Sequence, residues 1–222
     1  MAKISKKILG FSRGKVADVV FAKFRTETIA RGYQPNVRNP RTESQQEQRA
    51  RFATASGLAK GMVRGIYRGL ASVAAGTKMS PRNVFMKLNC KPGTIDVSGD
   101  SVTIEYTEIA LSQGNFETPL CGSPLFDAPN TVEYSVTNNM EIASNVDVVT
   151  TVYCPEFDAS VVSEVNLQTS HGTIQVSVPA SWGGVKVHVY SWLKYTGANS
   201  VEDGLYTGVV SETVYVGNGT IA

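Results

Sequence analysis

The chain has 222 residues, 42% of them hydrophobic, and a formal net charge of +2. That length holds one large or two small domains, with the apolar content of an ordinary globular protein. The small net charge conceals a division. Residues 1–92 carry 19 Lys/Arg against 4 Asp/Glu, a net of +15, whereas residues 93–222 carry 2 Lys/Arg against 15 Asp/Glu, a net of −13. Such an asymmetry points to an anionic partner, to head-to-tail electrostatic assembly, or to two halves that neutralise each other within one fold. Cys90, Cys121 and Cys154 are odd in number, widely spaced and free of any CxxC pair, and only two histidines accompany them. A disulfide framework and a zinc site are therefore not expected, and reduced thiols are.

In chain order, residues 1–14 are basic and marked by Gly10 and Gly14, and read as an arm. They hold no apolar core long enough for a signal peptide, so synthesis in a cytoplasm without export by the usual route is expected. Residues 15–24 are β-branched and aromatic, and 28–33 read as a return strand across a short turn at Arg25, Thr26 and Glu27. A two-stranded hairpin is marginal in water and needs support.

Pro40 then biases Asn39 toward an extended conformation, Thr42 suits a helix N-cap, and Gln45 completes a capping-box pattern. One long helix is expected from there to Ala75. Leu58, Met62, Ile66 and Leu70, with the row of Ala59, Val63, Tyr67 and Ala71, make one broad apolar face. Lys60, Arg64 and Arg68 form a basic row beside it, which excludes a membrane span. The fourth row is Gly57, Gly61, Gly65 and Gly69. Each glycine costs about 0.5–1 kcal/mol in a helix interior. Close approach of another backbone must offset that cost, whether a strand of the same chain, a partner helix or a phosphate backbone. Ser80-Pro81 opens a short second helix, and Asn89 to Gly93 makes the turn out.

From Gly93 on, the pattern has period two. Strands are expected at 94–98, 102–112, 131–137, 146–154, 161–168, 172–178, 185–194 and 206–216, with Gly99-Asp100 as a hairpin turn. Val185, Val187 and Val189 alternate with Lys186, His188 and Tyr190, which predicts one buried and one wetter face. The fold class expected is mainly β with an α-helical N-terminal part. It has a basic arm and hairpin (1–41), a helical segment (42–92) and an acidic β-sandwich (93–222). An immunoglobulin/fibronectin-like order is favoured, with a jelly roll as the competing topology.

No GxGxxG, GxxxxGK[ST], GxSxG or HExxH occurs, so no catalytic residue, cofactor or metal site is assigned. Tyr190 and Lys194 stand at a reductase-like spacing but on a strand. His171 reads as a surface residue, His188 as structural, and Asp96, Asp100 and Glu105 as solvated hairpin carboxylates. Trp182 and Trp192, with Tyr190 and Tyr195, read as core or as an exposed aromatic patch for a ligand or glycan. Lys3, Lys6, Lys7, Arg13, Lys15, Lys23 and Arg25 are candidate phosphate contacts, unaccompanied by a recognition motif.

Three segments carry a resemblance. They are Gly10 to Val16 (GFSRGKV), the helix start Asn39-Pro40-Arg41-Thr42 with Gln45, Gln48, Arg49 and Phe52, and Val210 to Val216 (VSETVYV). The chain resembles a domain family of unknown function associated with Bacteroidota genomes and their phages. That family often has a Trp near Phe24 followed by Arg-Gly, from which Phe24-Arg25-Thr26 departs. The resemblance implies an N-terminal element followed by a β-sandwich, and it carries over no catalytic residue.

The leading expectation is a non-enzymatic structural protein, a homo-oligomer or a subunit docked on other structural proteins, such as a bacteriophage virion component. Gly57, Gly61, Gly65, Gly69, Lys60, Arg64 and Arg68 would form its assembly interface. A non-specific nucleic-acid binder and a carbohydrate- or surface-binding sandwich are the alternatives, and no membrane partner is expected.

Overall fold

The computed structural model describes residues 2–4, 13–24, 27–36, 41–75, 77–99, 101–137, 146–167, 169–195, 201–202, 205–206 and 210–222. The chain divides into two compact units, Met1–Thr42 and Glu43–Ala222.

The first unit is a four-stranded antiparallel sheet in the order β1-β4-β3-β2, built from β1 (Ala2–Ile4), β2 (Gly14–Val16), β3 (Val19–Phe24) and β4 (Glu27–Gly32). The start of the expected arm is paired: Ala2 lies opposite Ala30 and Ile4 opposite Thr28, so residues 2–4 contribute a strand to this sheet. Two further strands thus flank the β3–β4 hairpin, which satisfies backbone groups that an isolated hairpin would expose. Of the expected turn, Arg25 and Thr26 lie outside the described residues, and Glu27 is corrected to the first residue of β4, paired with Phe24.

In the second unit, α1 (Glu43–Gly61) begins directly after Thr42 and is followed by α2 (Val63–Ala75). The single long helix is therefore parted at Met62. The turns still run through, because Met62 N–H donates to Leu58 (2.9 Å) and Ile66 N–H to Met62 (3.1 Å). The short helix α3 (Pro81–Asn89) starts as its sequence dictates, with the Ser80 side chain accepting from Asn83 N–H and Pro81 in the first turn.

The strands are β5 (Ile95–Ser98), β6 (Ser101–Ile104), β7 (Leu120–Cys121), β8 (Thr131–Thr137), β9 (Val146–Cys154), β10 (Ala159–Leu167), β11 (His171–Ser177), β12 (Lys186–Tyr195), β13 (Val201–Glu202), β14 (Leu205–Tyr206) and β15 (Val214–Thr220). The expected strand 102–112 ends at Ile104 and gives way to a 3-10 turn at Tyr106–Glu108. The last expected strand, 206–216, is replaced by the short β14 and by β15. Gly217 and Gly219 fit inside β15 because their bare faces lie against Pro124 and the Phe126 ring.

The layers follow from alternation. A four-stranded antiparallel sheet, β10-β9-β12-β15, lies in the middle. On β9 and β12, Val148, Val152, Val187, Val189 and Leu193 point to one side and pack with Val132, Tyr134, Val136, Ile174 and Val176 of a second sheet, β11-β8-β7. Val149, Tyr153, Tyr190 and Trp192 point to the other side and pack with Leu58, Met62, Ile66 and Leu70 of the helices. The central sheet is thus covered on both faces, by helices and by a sheet, in a β-sandwich-like fold with a helical layer. Residues 42–92 and 93–222 share that core. Two-sided burial also corrects the expected wet face of β12: His188 is 5% exposed and Tyr190 fully buried.

Inside the sandwich the Tyr134 hydroxyl lies 2.5 Å from Thr150 Oγ1 and 3.0 Å from Ser191 Oγ. Burial pushes its ionisation up to about 12. Tyr134→Phe removes the hydroxyl that bridges Thr150 and Ser191 within an apolar layer. Urea unfolding should therefore show a loss of about 1–3 kcal/mol, with an unchanged slope.

Candidate assembly surface

The glycine row has a partner within the chain. A Cβ added at Gly61 would stand 2.9 Å from the Tyr153 ring, one at Gly65 2.7 Å from Thr151 Oγ1, and one at Gly69 2.8 Å from the Ser112 Cβ. All three glycines are buried, whereas Gly57 has open space around it. The close approach that glycine permits is therefore used against β9 and the segment around Leu111. Ser160 Oγ donates to the Gly61 carbonyl at 2.7 Å and Arg68 pairs with Glu164 of β10, tying the same helices to the sheet edge. Gly61, Gly65 and Gly69 are thus corrected from interface residues to packing residues.

The basic row lies next to the glycine row and turns toward solvent. Lys60, Arg64 and Arg68 are exposed. Between and beside them stand three large side chains that the core leaves out: Phe52 (57% exposed), Val63 (44%) and Tyr67 (52%). The helical repeat brings Phe52, Lys60, Val63, Arg64 and Tyr67 onto one stripe. Amphipathic helices normally keep such positions polar, so these side chains make the face a candidate contact surface. Arginine and aromatic side chains together are the composition of interface centres.

The remaining candidates are placed as follows. Trp192 is fully buried and Trp182 is 3% exposed, so of the two expected readings both tryptophans take core packing and form no exposed glycan patch. Lys194 is 9% exposed, with its ammonium 3.7 Å from Glu164, and Tyr190 donates its hydroxyl to the Tyr106 carbonyl at 3.0 Å; both are structural. His171 is exposed at the start of β11. Asp96 accepts from Gly93 N–H and Glu105 from the Thr107 hydroxyl, whereas Asp100 is outside the described residues. The three cysteines are free thiols. Among the described residues no group of His, Cys, Asp and Glu gathers with metal-ligand geometry. Likewise, no described helix is long and apolar enough to cross a membrane. Arg13 and Lys15 are exposed in the first unit, and the Lys15 ammonium sits 3.4 Å over the Tyr33 ring. Lys3 and Lys23 fall on β1 and β3, and Lys6, Lys7 and Arg25 lie outside the described residues.

Sequence reading missed one cluster. His188 lies under the Tyr106 ring at 3.9 Å and its Nδ1 is 2.9 Å from the Tyr215 hydroxyl, which accepts from Asn218 at 2.8 Å. Beside it opens a cavity of about 290 Å³ lined by Tyr106, Pro155, Glu156, Val185, Lys186 and His188. Burial, then the Lys186 charge, push the imidazole down to about 4. No sequence signal marks this cluster, because its members come from four separate segments.

The layered fold with its outward basic–aromatic helix face defines a class of packing-dominated, motif-free domain. The chain belongs to a family of unknown function, DUF6266, whose model matches residues 10–217. That span takes in all three segments on which the resemblance rests. A comparison with curated proteins finds no match.

Two outcomes test the packing of the glycine row. Gly57→Ala should raise stability by about 0.5–1 kcal/mol, since it adds helix propensity in open space. Gly69→Ala, forced against the Leu111 carbonyl, should cost about 1–3 kcal/mol. Denaturant midpoints of the two variants should move in opposite directions. The His188 ring is held neutral in the fold below its ordinary value of 6.5. Its contribution to stability is therefore complete above that value and is lost as pH falls toward about 4. In His188→Gln the melting temperature should drop less between pH 7 and pH 4.5 than in the wild type.

Proposed function

We propose that this chain is a non-enzymatic structural subunit that associates with copies of itself in a repeating assembly, of which a bacteriophage virion is one setting. The observation that carries this reading is the exposed stripe of Phe52, Lys60, Val63, Arg64 and Tyr67 on the helical layer. The apolar members gain by leaving water, and the cations set orientation and encounter rate. The opposite signs of the two halves of the chain supply an attractive partner for that stripe in every other copy. The absence of catalytic motifs from the sequence agrees with such a role.

A second reading draws on a separate observation. Lys15, Val20 and Arg31 are aligned across β2, β3 and β4, giving one face of the first unit two exposed cations beside Arg13. This arrangement suits phosphate neutralisation without base readout.

Light scattering coupled to size-exclusion chromatography, at low and high salt, separates the two. In the assembly reading the wild type forms species larger than one chain, free of nucleic acid, and shrinks as salt screens the cations. A monodisperse single chain at low salt and high concentration overturns it. A small species that carries nucleic acid and sheds it at high salt favours the second reading instead.

A further inference from the structure

The helical stripe has a structural complement on the far side of the same unit. In β8, Val132, Tyr134 and Val136 point into the sandwich core, which leaves Glu133 and Ser135 on the outer face. Leu125 bridges directly to Glu133, and Leu120 pairs with Thr137, so both leucines share that outer face. They are 56% and 58% exposed. Phe116 and Phe126 pack inward on the same core, and Glu117 and Asp127 next to them in the chain are exposed. No lysine or arginine occurs between Lys91 and Lys186, so this acidic face has no cation of its own segment to neutralise it.

Resting on the reading that the chain associates with itself, we propose the acceptor: the basic–aromatic stripe of one copy docks on the outer face of the β11-β8-β7 sheet of the next. Phe52, Val63 and Tyr67 meet Leu120 and Leu125, while Lys60 and Arg64 face Glu117, Asp127 and Glu133. Charge complementarity selects this pairing. Two stripes face to face would bring four cations together, and two sheet faces would bring six carboxylates together. Like-charge juxtaposition of that kind suppresses both isologous arrangements. The two faces lie on opposite outer layers of the unit, with the central sheet between them. The contact is therefore heterologous, and it repeats from copy to copy as a ring or an open stack.

Two charge-reversed proteins test the pairing, Lys60→Glu/Arg64→Glu and Glu117→Lys/Asp127→Lys/Glu133→Lys. All five side chains lie outside the buried core, and circular dichroism melts verify that both proteins fold. In sedimentation velocity at low salt each variant alone should associate at least tenfold more weakly than the wild type. An equimolar mixture should regain assembly, because each then meets an oppositely charged face. A second measurement uses only wild-type protein, mixed as 14N- and 15N-labelled copies and coupled with a zero-length carbodiimide. It should give inter-copy cross-links from Lys60 to Glu117, Asp127 or Glu133. A sheet-face variant that assembles like the wild type overturns the acceptor, as do inter-copy links confined to other carboxylates. In either case a helix-face variant that still dissociates leaves the assembly reading standing. A wild type that never associates overturns both.

Discussion

Everything in the larger unit depends on β9 and β12 being buried from both sides. A strand pair with a wet face can be held by its neighbours in the sheet alone. A pair with two dry faces needs two complete covers, and the chain supplies them from regions far apart. One cover is the β11-β8-β7 sheet, whose inward valines and Tyr134 meet the even-numbered residues of β9. The other is the helical layer, whose Leu58, Met62, Ile66 and Leu70 meet Val149, Tyr153, Tyr190 and Trp192. The second cover requires close spacing of helix and sheet, and glycine permits it. A methyl group at Gly65 or Gly69 has nowhere to go, so the helix gives up intrinsic propensity to sit low on the strands. The core gains more by closing the gap than the helix loses, since an unfilled layer forfeits both transfer and dispersion energy.

Polar groups then fix the details that apolar packing leaves degenerate. Buried Asn89 donates to the Phe85 and Ala110 carbonyls and accepts from Ala110 N–H, which locks the end of α3 to the segment that roofs Gly69. Thr213 accepts from Leu111 N–H at 2.8 Å and from Ser112 N–H at 2.7 Å, fastening the same segment to the start of β15. The irregular stretch from Tyr106 to Ser112 is therefore a fastened element rather than a loose loop, with its backbone groups matched by side chains from two directions. The polarity of the outer surfaces follows from what is left: cations on the helical layer, carboxylates and leucines on the opposite sheet.

Much of this architecture is legible in the amino-acid sequence alone. The alternation in β8 and the long β-branched run of β9 set the bounds at 131–137 and 146–154 that the strands adopt. Ser80-Pro81 marks the start of α3 for a stated reason, a hydroxyl cap followed by a residue with no N–H to satisfy. The burial of His188 and Tyr190 is not legible, because a polar side chain on alternate positions looks the same whether water or a stacked tyrosine lies above it. Asn89 has the composition of a turn residue and is a core hydrogen-bonding hub, hidden for the same reason. The glycine row announces a close neighbour but not its identity, since spacing within a helix carries no information about a strand far along the chain. The surface stripe is half legible. Its cations are plain, but helical periodicity alone puts Val63 and Tyr67 on the buried face, and only the rotation of the helix on the sheet shows them outside.

The long reach of these contacts governs the order in which the molecule can be made. Leu111 and Ser112 find Thr213 far along the chain, with separations of 102 and 101 residues. The glycine-bearing helices are synthesised well before Thr151, Tyr153 and Trp192, the residues that cover them. A helical segment with four glycines is a poor autonomous folder, so its apolar face waits for the ribosome to deliver its sheet. Topology of this kind makes folding slow and late, governed by loop closure rather than by local propensity. The emerging chain thus presents an uncovered helical face throughout the interval in which its own β9 and β12 are still absent, and during that interval a neighbouring nascent copy competes for the same surface.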